Sequence, residues 1–254
     1  MLTQRVTEQS ADAHFSMRAH KYNESSRWCT DTALLNKAFD LVKPDSKDRV
    51  LDVAVGTGKV SQFLKSRVAD IEGVDINAEM VKQALPFLDK LVMAPAETLP
   101  FEDNTYDLAV CRQGIQFMDA PAALREVYRV LKPHGRILLI DLCAYDEKDR
   151  DEYFEILKLR NPARRNFFVY GDVADLLTEV GFTGVKTERY MSSEDVDFWS
   201  DNSAISEKRR EDIRAVYRDA SPDFARRHSV MIVDGRITDQ MLFSLTAGWK
   251  EGPA

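Results

Sequence analysis

The chain has 254 residues, of which 44% are hydrophobic and 30% are charged, so it is long enough to bury one substantial core. Its 35 Lys and Arg residues against 42 Asp and Glu residues give a formal net charge of −7, a balance that disfavours nucleic acid as a partner. An aromatic content of 9% excludes a disordered or fibrous chain.

Cysteine usage and hydropathy narrow the class of protein further. Cys29, Cys111 and Cys143 are widely spaced and form no CxxC pair, so we expect neither a disulfide framework nor a metal site. No apolar run approaches the roughly 18 residues of a membrane-spanning helix, and the first residues contain no apolar segment typical of a secretion signal. We therefore expect a cytoplasmic protein that does not insert into a membrane.

Predicted helices and strands alternate along the first part of the chain. Apolar residues at helical spacing predict a helix that ends at Lys43-Pro44, and a glycine turn, Gly56-Thr57-Gly58, follows the first strand. The first five predicted strands span residues 49–55, 71–76, 91–93, 106–111 and 136–142. This alternation predicts an α/β fold of Rossmann-like type, in which helices cover both faces of a doubly wound, mostly parallel sheet.

The C-terminal third has a different pattern. A predicted helix at 173–180 precedes a strand at 184–191, and the charged segment 192–235 contains helical stretches that we interpret as an inserted helical cap. A final strand at 240–249 completes a seven-stranded sheet. Because a short turn at Gly235 cannot make a parallel crossover, we expect this last strand to run antiparallel at the edge of the sheet.

The residues around the glycine turn indicate a class of ligand. In an open parallel sheet the ligand binds beyond the carboxyl ends of the strands, and Gly56 and Gly58 allow close approach of the backbone. A dinucleotide fingerprint requires a third glycine where this chain has Ser61. Asp52 would repel a diphosphate but attract an ammonium group, and Asp75 can accept two hydrogen bonds from a ribose diol. A nucleoside with a cationic group and no diphosphate describes S-adenosylmethionine.

Several motifs in order carry a resemblance to a known family. They are VLDVAVGTG, VDI, APAETLPF, YDLAVCRQGIQF and LREVYRVLKPHGRILLIDL, within roughly residues 45–145. Together they resemble the class I S-adenosylmethionine-dependent methyltransferases. The similarity is closest to the branch that contains the ubiquinone and menaquinone C-methyltransferases and many small-molecule methyltransferases.

The resemblance implies roles for individual residues. Gly56 would lie beside the methionine part of the cofactor, Asp75 would hold the ribose, and Ile76 would pack on the adenine. The pair Ala96-Glu97 would flank the adenine edge, and the pair Arg112-Gln113 would lie near the sulfonium. The predicted cofactor-binding residues are Tyr22, Asp52, Ala54, Gly56, Asp75, Ile76, Ala96, Glu97, Arg112 and Gln113.

Two positions depart from the family pattern. Ala54-Val55 stands where the family usually has glycine followed by cysteine or serine, and Pro95 stands where it often has aspartate. The first change narrows the space beside the methionine carboxylate, and the second removes a side-chain partner of the adenine amino group. These departures keep open an alternative in which the chain is a non-catalytic, methyltransferase-like binding or assembly protein.

The segment before the first strand is a candidate lid. In the resembling family such a segment folds over the cofactor, and Tyr22 would reach the methionine end. His14 and His20 would then lie near the acceptor; the alternative is an exposed helix with scattered histidines. We therefore divide the chain into a lid at 1–30 and a methyltransferase domain at 31–254, with the cap inserted in the latter.

The acceptor site is less well defined by the sequence. Gln116 and Phe117 follow the fourth strand and are predicted to line it, unless Phe117 is core and Gln116 is exposed. Arg160, Arg164 and Arg165 would suit an acidic acceptor, although such a cluster is more often a solvated face. Aromatic residues of the C-terminal third favour an aromatic or heterocyclic acceptor.

These observations lead to one functional prediction and its rivals. We predict a methyltransferase that moves a methyl group from S-adenosylmethionine to a small-molecule acceptor, with no catalytic side chain identified and a homodimer left open. A nicotinamide-dependent oxidoreductase is disfavoured by Ser61 and Asp52. Whether carbon, oxygen or nitrogen receives the methyl group does not follow from the sequence.

Overall fold

A computed structural model describes residues 10–252 and contains one mixed sheet with helices on both faces. The strands of this part of the chain are β1 (Arg49–Val53), β2 (Asp70–Asp75), β3 (Lys90–Met93), β4 (Tyr106–Arg112), β5 (Leu131–Cys143), β6 (Thr183–Asp195), β7 (Met231–Val233) and β8 (Arg236–Trp249). Strands β1 to β5 pair in parallel, and β8 pairs antiparallel with β5, β6 and β7. The predicted doubly wound α/β fold is therefore confirmed.

The helices connect successive strands and cover both faces of the sheet. The α-helices of the described residues are α1 (Ala11–Arg18), α2 (Thr32–Val42), α3 (Lys59–Leu64), α4 (Ala78–Val81), α5 (Ala120–Val130), α6 (Arg150–Arg160), α7 (Asp172–Val180), α8 (Val196–Ser200), α9 (Glu207–Arg218) and α10 (Pro222–Arg227). Asp31 caps α2, and Lys43 ends it in a left-handed conformation at the predicted position. Alternate residues of each central strand face opposite cores, as Val50 and Leu51 do in β1.

The last strand is antiparallel as predicted, but its predicted position at the edge is wrong. The strand order is β3-β2-β1-β4-β5-β8-β6, so β8 lies between β5 and β6, and the short β7 pairs with it as a hairpin. The reason is visible in composition, because nearly every residue of β8 from Met241 to Ala247 is buried whereas β6 is largely exposed and charged. A buried apolar strand requires neighbours on both sides, and a charged strand suits an edge.

The segment predicted as a helical cap begins as a strand. Strand β6 continues to Asp195, and α8, α9 and α10 then follow before β7. The turn at Asp234-Gly235, with both residues at positive φ, joins β7 to β8. The helices pack against the sheet through buried aromatic residues, among them Trp199, Tyr217 and Phe224.

Candidate functional site

A cavity of about 300 Å³ lies where the carboxyl ends of β1, β2 and β4 meet. This is the edge at which an open parallel sheet binds ligands, and the volume is at the lower end of the range for small-molecule sites. Nine of the ten predicted cofactor-binding residues line it: Tyr22, Ala54, Gly56, Asp75, Ile76, Ala96, Glu97, Arg112 and Gln113. The topology therefore brings together residues that lie far apart in the sequence.

The turn after β1 has an unusual backbone. Ala54, Gly56 and Gly58 all have positive φ, at 55°, 53° and 74°. A Cβ on Gly58 would lie 2.7 Å from the Cα of Ala84, so only glycine fits where α3 begins. Ala54 instead carries its Cβ in a left-handed conformation, which costs an L-residue roughly 1–2 kcal/mol.

Replacing Ala54 with glycine should therefore stabilise the protein. Glycine removes the left-handed strain but adds freedom to the unfolded chain, so we expect the free energy of unfolding to rise by up to about 1 kcal/mol. Binding of S-adenosylhomocysteine should stay equal or become tighter. Urea unfolding and calorimetric titration measure the two effects. Ala109→Gly in β4, at an ordinary φ, should destabilise, and a tenfold loss of affinity in Ala54→Gly would contradict our account of the turn.

Asp75 closes the turn from the neighbouring strand. Its Oδ2 accepts a hydrogen bond from the Gly56 N–H at 2.8 Å, and its Oδ1 accepts one from the Asn77 N–H at 2.9 Å. Burial raises the pKa of this carboxyl, although the two N–H donors counteract the rise. Each carboxylate oxygen has a second acceptor site, so the side chain can still receive two hydrogen bonds from a ligand in the cavity.

Asp52 does not line the cavity, and this corrects its predicted role beside the cofactor. Its side chain is buried under the turn and accepts a hydrogen bond from the Ser61 hydroxyl at 2.6 Å. Burial raises the pKa of Asp52 to about 7. Ser61 thus has a structural function that the sequence did not reveal, since it holds Asp52 from the first turn of α3.

The outer side of the cavity is apolar and partly open. Ile76 is 52% exposed at the end of β2, although isoleucine is usually buried, and Pro95 and Ala96 lie in the same wall. Glu97 also lines the cavity, and its Oε1 accepts a hydrogen bond from the Asp119 N–H at 2.9 Å. An exposed apolar side chain beside carboxylates suits a flat ligand with polar edges.

The inner side of the cavity is aromatic and basic. The rings of Phe15 and Phe117 meet edge to face with their centroids 4.9 Å apart, and the centroid of the Tyr22 ring lies 6.3 Å from that of Phe15. Arg112 and Gln113 complete this wall at the end of β4. The two sides of the cavity therefore differ in chemistry, and Asp75 lines the cavity from the end of β2.

The four residues predicted near the acceptor have different positions. Phe117 lines the cavity, whereas Gln116 lies behind it, buried, and donates a hydrogen bond to the Gln113 Oε1 at 2.7 Å. His14 is fully buried next to Phe15, and burial lowers its pKa to about 3. His20 is exposed, so of the four only Phe117 reaches the cavity directly.

The sequence did not indicate how helix α1 is held over the cavity. The Asn77 Oδ1 caps α4 by accepting a hydrogen bond from the Met80 N–H, and its Nδ2 donates to the Asp12 backbone oxygen at 2.9 Å and to the Ser16 hydroxyl at 2.8 Å. A single buried amide therefore fastens α1 to the end of β2. The N-cap pattern could identify Asn77 but could not show which distant element its second group would bind.

Among residues 10–252 no group of three His, Cys, Asp or Glu side chains could hold a metal ion. Within the same residues no helix has the length and apolar character needed to span a bilayer.

Sequence comparisons identify related proteins. A family described as "Methyltransferase domain" matches residues 51–139. YcgJ, an uncharacterized methyltransferase of Bacillus subtilis (strain 168), is 33% identical over 160 residues, which cover 59% of this chain and 62% of that protein. The demethylmenaquinone methyltransferase of Thermotoga maritima is 31% identical over 150 residues, covering 56% of this chain and 66% of that protein. The chain thus spans slightly less than two thirds of the length of these two relatives.

Solved structures share the fold. The crystal structure of YcgJ from Bacillus subtilis matches with a TM-score of 0.80 at 23% sequence identity, covering 88% of this chain and 100% of that chain. Because it covers 88% of this chain, the likeness extends beyond residues 51–139 on both sides. Residues 51–139 therefore match the methyltransferase domain family, and the chain shares the fold of YcgJ.

Proposed function

We propose that this chain transfers a methyl group from S-adenosylmethionine to a small-molecule acceptor. The observation that carries the proposal is the position of Asp75, whose carboxylate ends β2 inside a cavity and already holds the Gly56 N–H. A carboxylate in that place can accept two hydrogen bonds from a ribose diol, and Ser61 stands where a dinucleotide fingerprint requires its third glycine. The site therefore favours a nucleoside cofactor without a pyrophosphate over a dinucleotide.

The cavity residues fit the parts of this cofactor. Asp75 would accept hydrogen bonds from the ribose, and Ile76 would cover one face of the adenine while Ala96 lies at its edge. Tyr22 and Arg112 would face the methionine end, where a phenol and a guanidinium can bind a carboxylate. Ala54 approaches from the turn and leaves room for a small group because its side chain is a single methyl.

The reaction requires alignment rather than an acid or a metal. When bound, the cofactor supplies a methyl group on a positively charged sulfur, which an acceptor nucleophile can attack in line. The protein must hold acceptor and methyl in register, and such positioning can contribute about 7–11 kcal/mol. Cys29 and Cys111 are buried and burial raises the pKa of each, so both remain thiols and neither is a nucleophile.

The N-terminal segment would exclude water from this reaction. Helix α1 lies against the cavity through Phe15 and is fastened by the Asn77 amide. Residues 1–30 would then act as the lid that we predict, and the lid and the cap at 192–235 would together close over the acceptor. Residues 1–9 of the lid lie outside the described residues. The cytoplasmic location and the homodimer stay predictions of the sequence.

A calorimetric titration with S-adenosylhomocysteine tests the proposal, with NAD as the control. We expect micromolar binding of the first and none of the second, followed by transfer of label from methyl-labelled S-adenosylmethionine to an acceptor in a panel of small aromatic molecules. Binding of neither S-adenosylhomocysteine nor NAD would favour the non-catalytic binding protein instead. Binding of NAD alone would favour the oxidoreductase.

A further inference from the structure

Three buried or half-buried arginines lie near Tyr22, and we refer to Arg18, Arg112 and Arg160 as the arginine cluster; of the three, Arg112 lines the cavity itself. The guanidinium carbon of Arg18 lies 5.0 Å from the centroid of the Tyr22 ring. Arg112 donates a hydrogen bond to the Cys29 backbone oxygen at 3.3 Å. Burial raises the pKa of Tyr22, and the positive charges of all three arginines oppose that rise, so the cluster surrounds this side chain.

The arginine cluster is buried more deeply than its charge would suggest. Arg18 is 2% exposed and Arg160 is 7% exposed, although the Arg160 position was expected on a solvated face. Burial lowers the pKa of both, and the charge of Arg18 lowers that of Arg160 further. Arg18 and Arg160 are therefore two positive charges that repel each other in a buried region.

No carboxylate of the described residues forms an ion pair with Arg18, Arg112 or Arg160. Glu194 is the carboxylate whose charge acts on Arg160, but its oxygens accept hydrogen bonds from the backbone of Arg27 and Trp28 and from a serine hydroxyl. Around the arginine cluster, the single negative charge of Glu194 is therefore too small to balance the three positive charges.

Buried donors without partners occupy the same region. The Nε of Arg18 and the indole nitrogen atoms of Trp28 and Trp199 have no hydrogen-bond partner within the described residues. Trp28 packs against Tyr22, and the Arg160 guanidinium lies over the Trp199 ring at 4.4 Å. Arg160 donates hydrogen bonds to the Trp199 backbone oxygen at 3.0 Å and to the Ser26 hydroxyl at 3.4 Å, and both acceptors are neutral. Buried charges without a counter-charge and buried donors without a partner are unfavourable in a folded protein, so this arrangement points to a ligand that supplies negative charge.

The cofactor accounts for only part of this charge. Its methionine moiety carries one carboxylate, and Arg112, which lines the cavity, suffices to pair with it. Arg18 and Arg160 remain. The guanidinium carbon of Arg18 lies 5.4 Å and 5.0 Å from the ring centroids of Phe15 and Tyr22, and both of these rings line the cavity.

We infer that the acceptor carries an anionic group, and that Arg18 and Arg160 bind this group while Phe15 and Phe117 hold the flat body of the molecule. The inference rests on the proposed function and deepens it, because it gives the acceptor a charge. Carboxylates and phosphates share the chemistry that guanidinium groups recognise. The acceptor is thus a small aromatic or heterocyclic anion, and its anionic group is an anchor away from the reacting atom.

Binding of simple probes to protein saturated with S-adenosylhomocysteine tests the inference. We expect benzoate to raise the melting temperature in a concentration-dependent way, and its uncharged isostere benzamide to leave it unchanged. Inorganic phosphate is the third probe, and a larger shift than that of benzoate would assign a phosphorylated acceptor. Equal effects of benzoate and benzamide, or no effect of benzoate and phosphate on the loaded protein, would overturn the inference.

Arg18→Met distinguishes an acceptor site from a cofactor site. This variant should bind benzoate at least tenfold more weakly and S-adenosylhomocysteine within twofold of the wild type, and Arg18→Lys should recover part of the benzoate affinity. Arg67→Met is the matched control. Arg67 also stacks on a ring, that of Phe63, but it is exposed and lies just after α3 rather than among the arginine cluster. A tenfold loss of S-adenosylhomocysteine affinity in Arg18→Met would show that the cluster serves the cofactor.

The same variant has a readout that does not depend on any ligand. Because methionine removes an unpaired buried charge, Arg18→Met should melt at the same temperature as the wild type or higher. A large fall in melting temperature would show that Arg18 is a structural residue and contradict the inference. If wild-type protein does not bind S-adenosylhomocysteine at all, the proposed function fails and the benzoate result is judged on the unloaded protein, so the two failures are distinguishable.

Discussion

Replacing Asp75 with alanine should weaken the binding of S-adenosylhomocysteine by about 100-fold or more. The ribose would lose two hydrogen bonds to a charged acceptor, each of which contributes roughly 1.5–3 kcal/mol, and every 1.4 kcal/mol corresponds to a factor of ten. The effect should exceed that of any other single change in the cavity, since Asp75 also holds the Gly56 N–H that shapes the turn. Calorimetric titration of both proteins measures it.

Asp70 provides a matched control for this prediction. Asp70 begins β2, the strand that Asp75 ends. It forms a half-exposed ion pair with Arg49 at the amino end of that strand, away from the cavity. Asp70→Ala should therefore bind S-adenosylhomocysteine as the wild type does. Equal affinities of Asp75→Ala and wild type, with both proteins folded by circular dichroism, would refute the assignment of the ribose position.

Local signals in the sequence predicted the part of the site that lies on the first strands. The glycine turn and Asp75 each lie at the carboxyl end of an apolar strand. In a parallel sheet the carboxyl ends of neighbouring strands lie side by side. That rule suffices to place Gly56 and Asp75 together without knowledge of distant contacts. It fails for Asp52, because whether a side chain at a strand end faces a cavity or a neighbouring helix depends on packing.

Long-range pairing and burial set the limits of prediction. The position of β8 between β5 and β6 depends on contacts between residues far apart in sequence, which the pattern of one strand cannot reveal. From the sequence, the cluster that contains Arg160 is more often a solvated face than a binding site, because charged residues are mostly exposed. The burial of Arg160 is an exception of the kind found at functional sites, where local rules are broken for a reason that only the assembled structure shows.

A second exception is a buried histidine at the end of α10. His228 is fully buried, with its Nδ1 at 2.9 Å from the Asp239 carboxylate and its Nε2 at 3.3 Å from that of Asp149. Tyr217 donates a hydrogen bond to Asp239 at 2.5 Å, and Arg227 pairs with Asp149. Burial alone would lower the pKa of His228, but the two carboxylates outweigh burial and raise it to about 9.

This histidine should make the stability of the protein depend on pH. An unfolded histidine has a pKa of about 6.5, so the stabilising charge on His228 is fully present below that value and is lost as the pH rises through about 9. At about 1.36 kcal/mol for each pH unit between the two values, the free energy of unfolding should fall by roughly 3 kcal/mol across this window. Urea unfolding at pH 6, 7.5 and 9 would measure the loss.

Two variants separate His228 from other groups that titrate. His228→Gln should be less stable than the wild type at pH 6, because it leaves two carboxylates facing each other, and should lose most of the pH dependence between pH 6.5 and 9. His134→Asn, at an exposed left-handed position that asparagine adopts readily, should keep it. Asp52 and Asp141, whose pKa burial raises to about 7, are common to all three proteins, so the comparison cancels their contribution. An equal slope in His228→Gln and wild type would show that His228 is neutral in the folded protein.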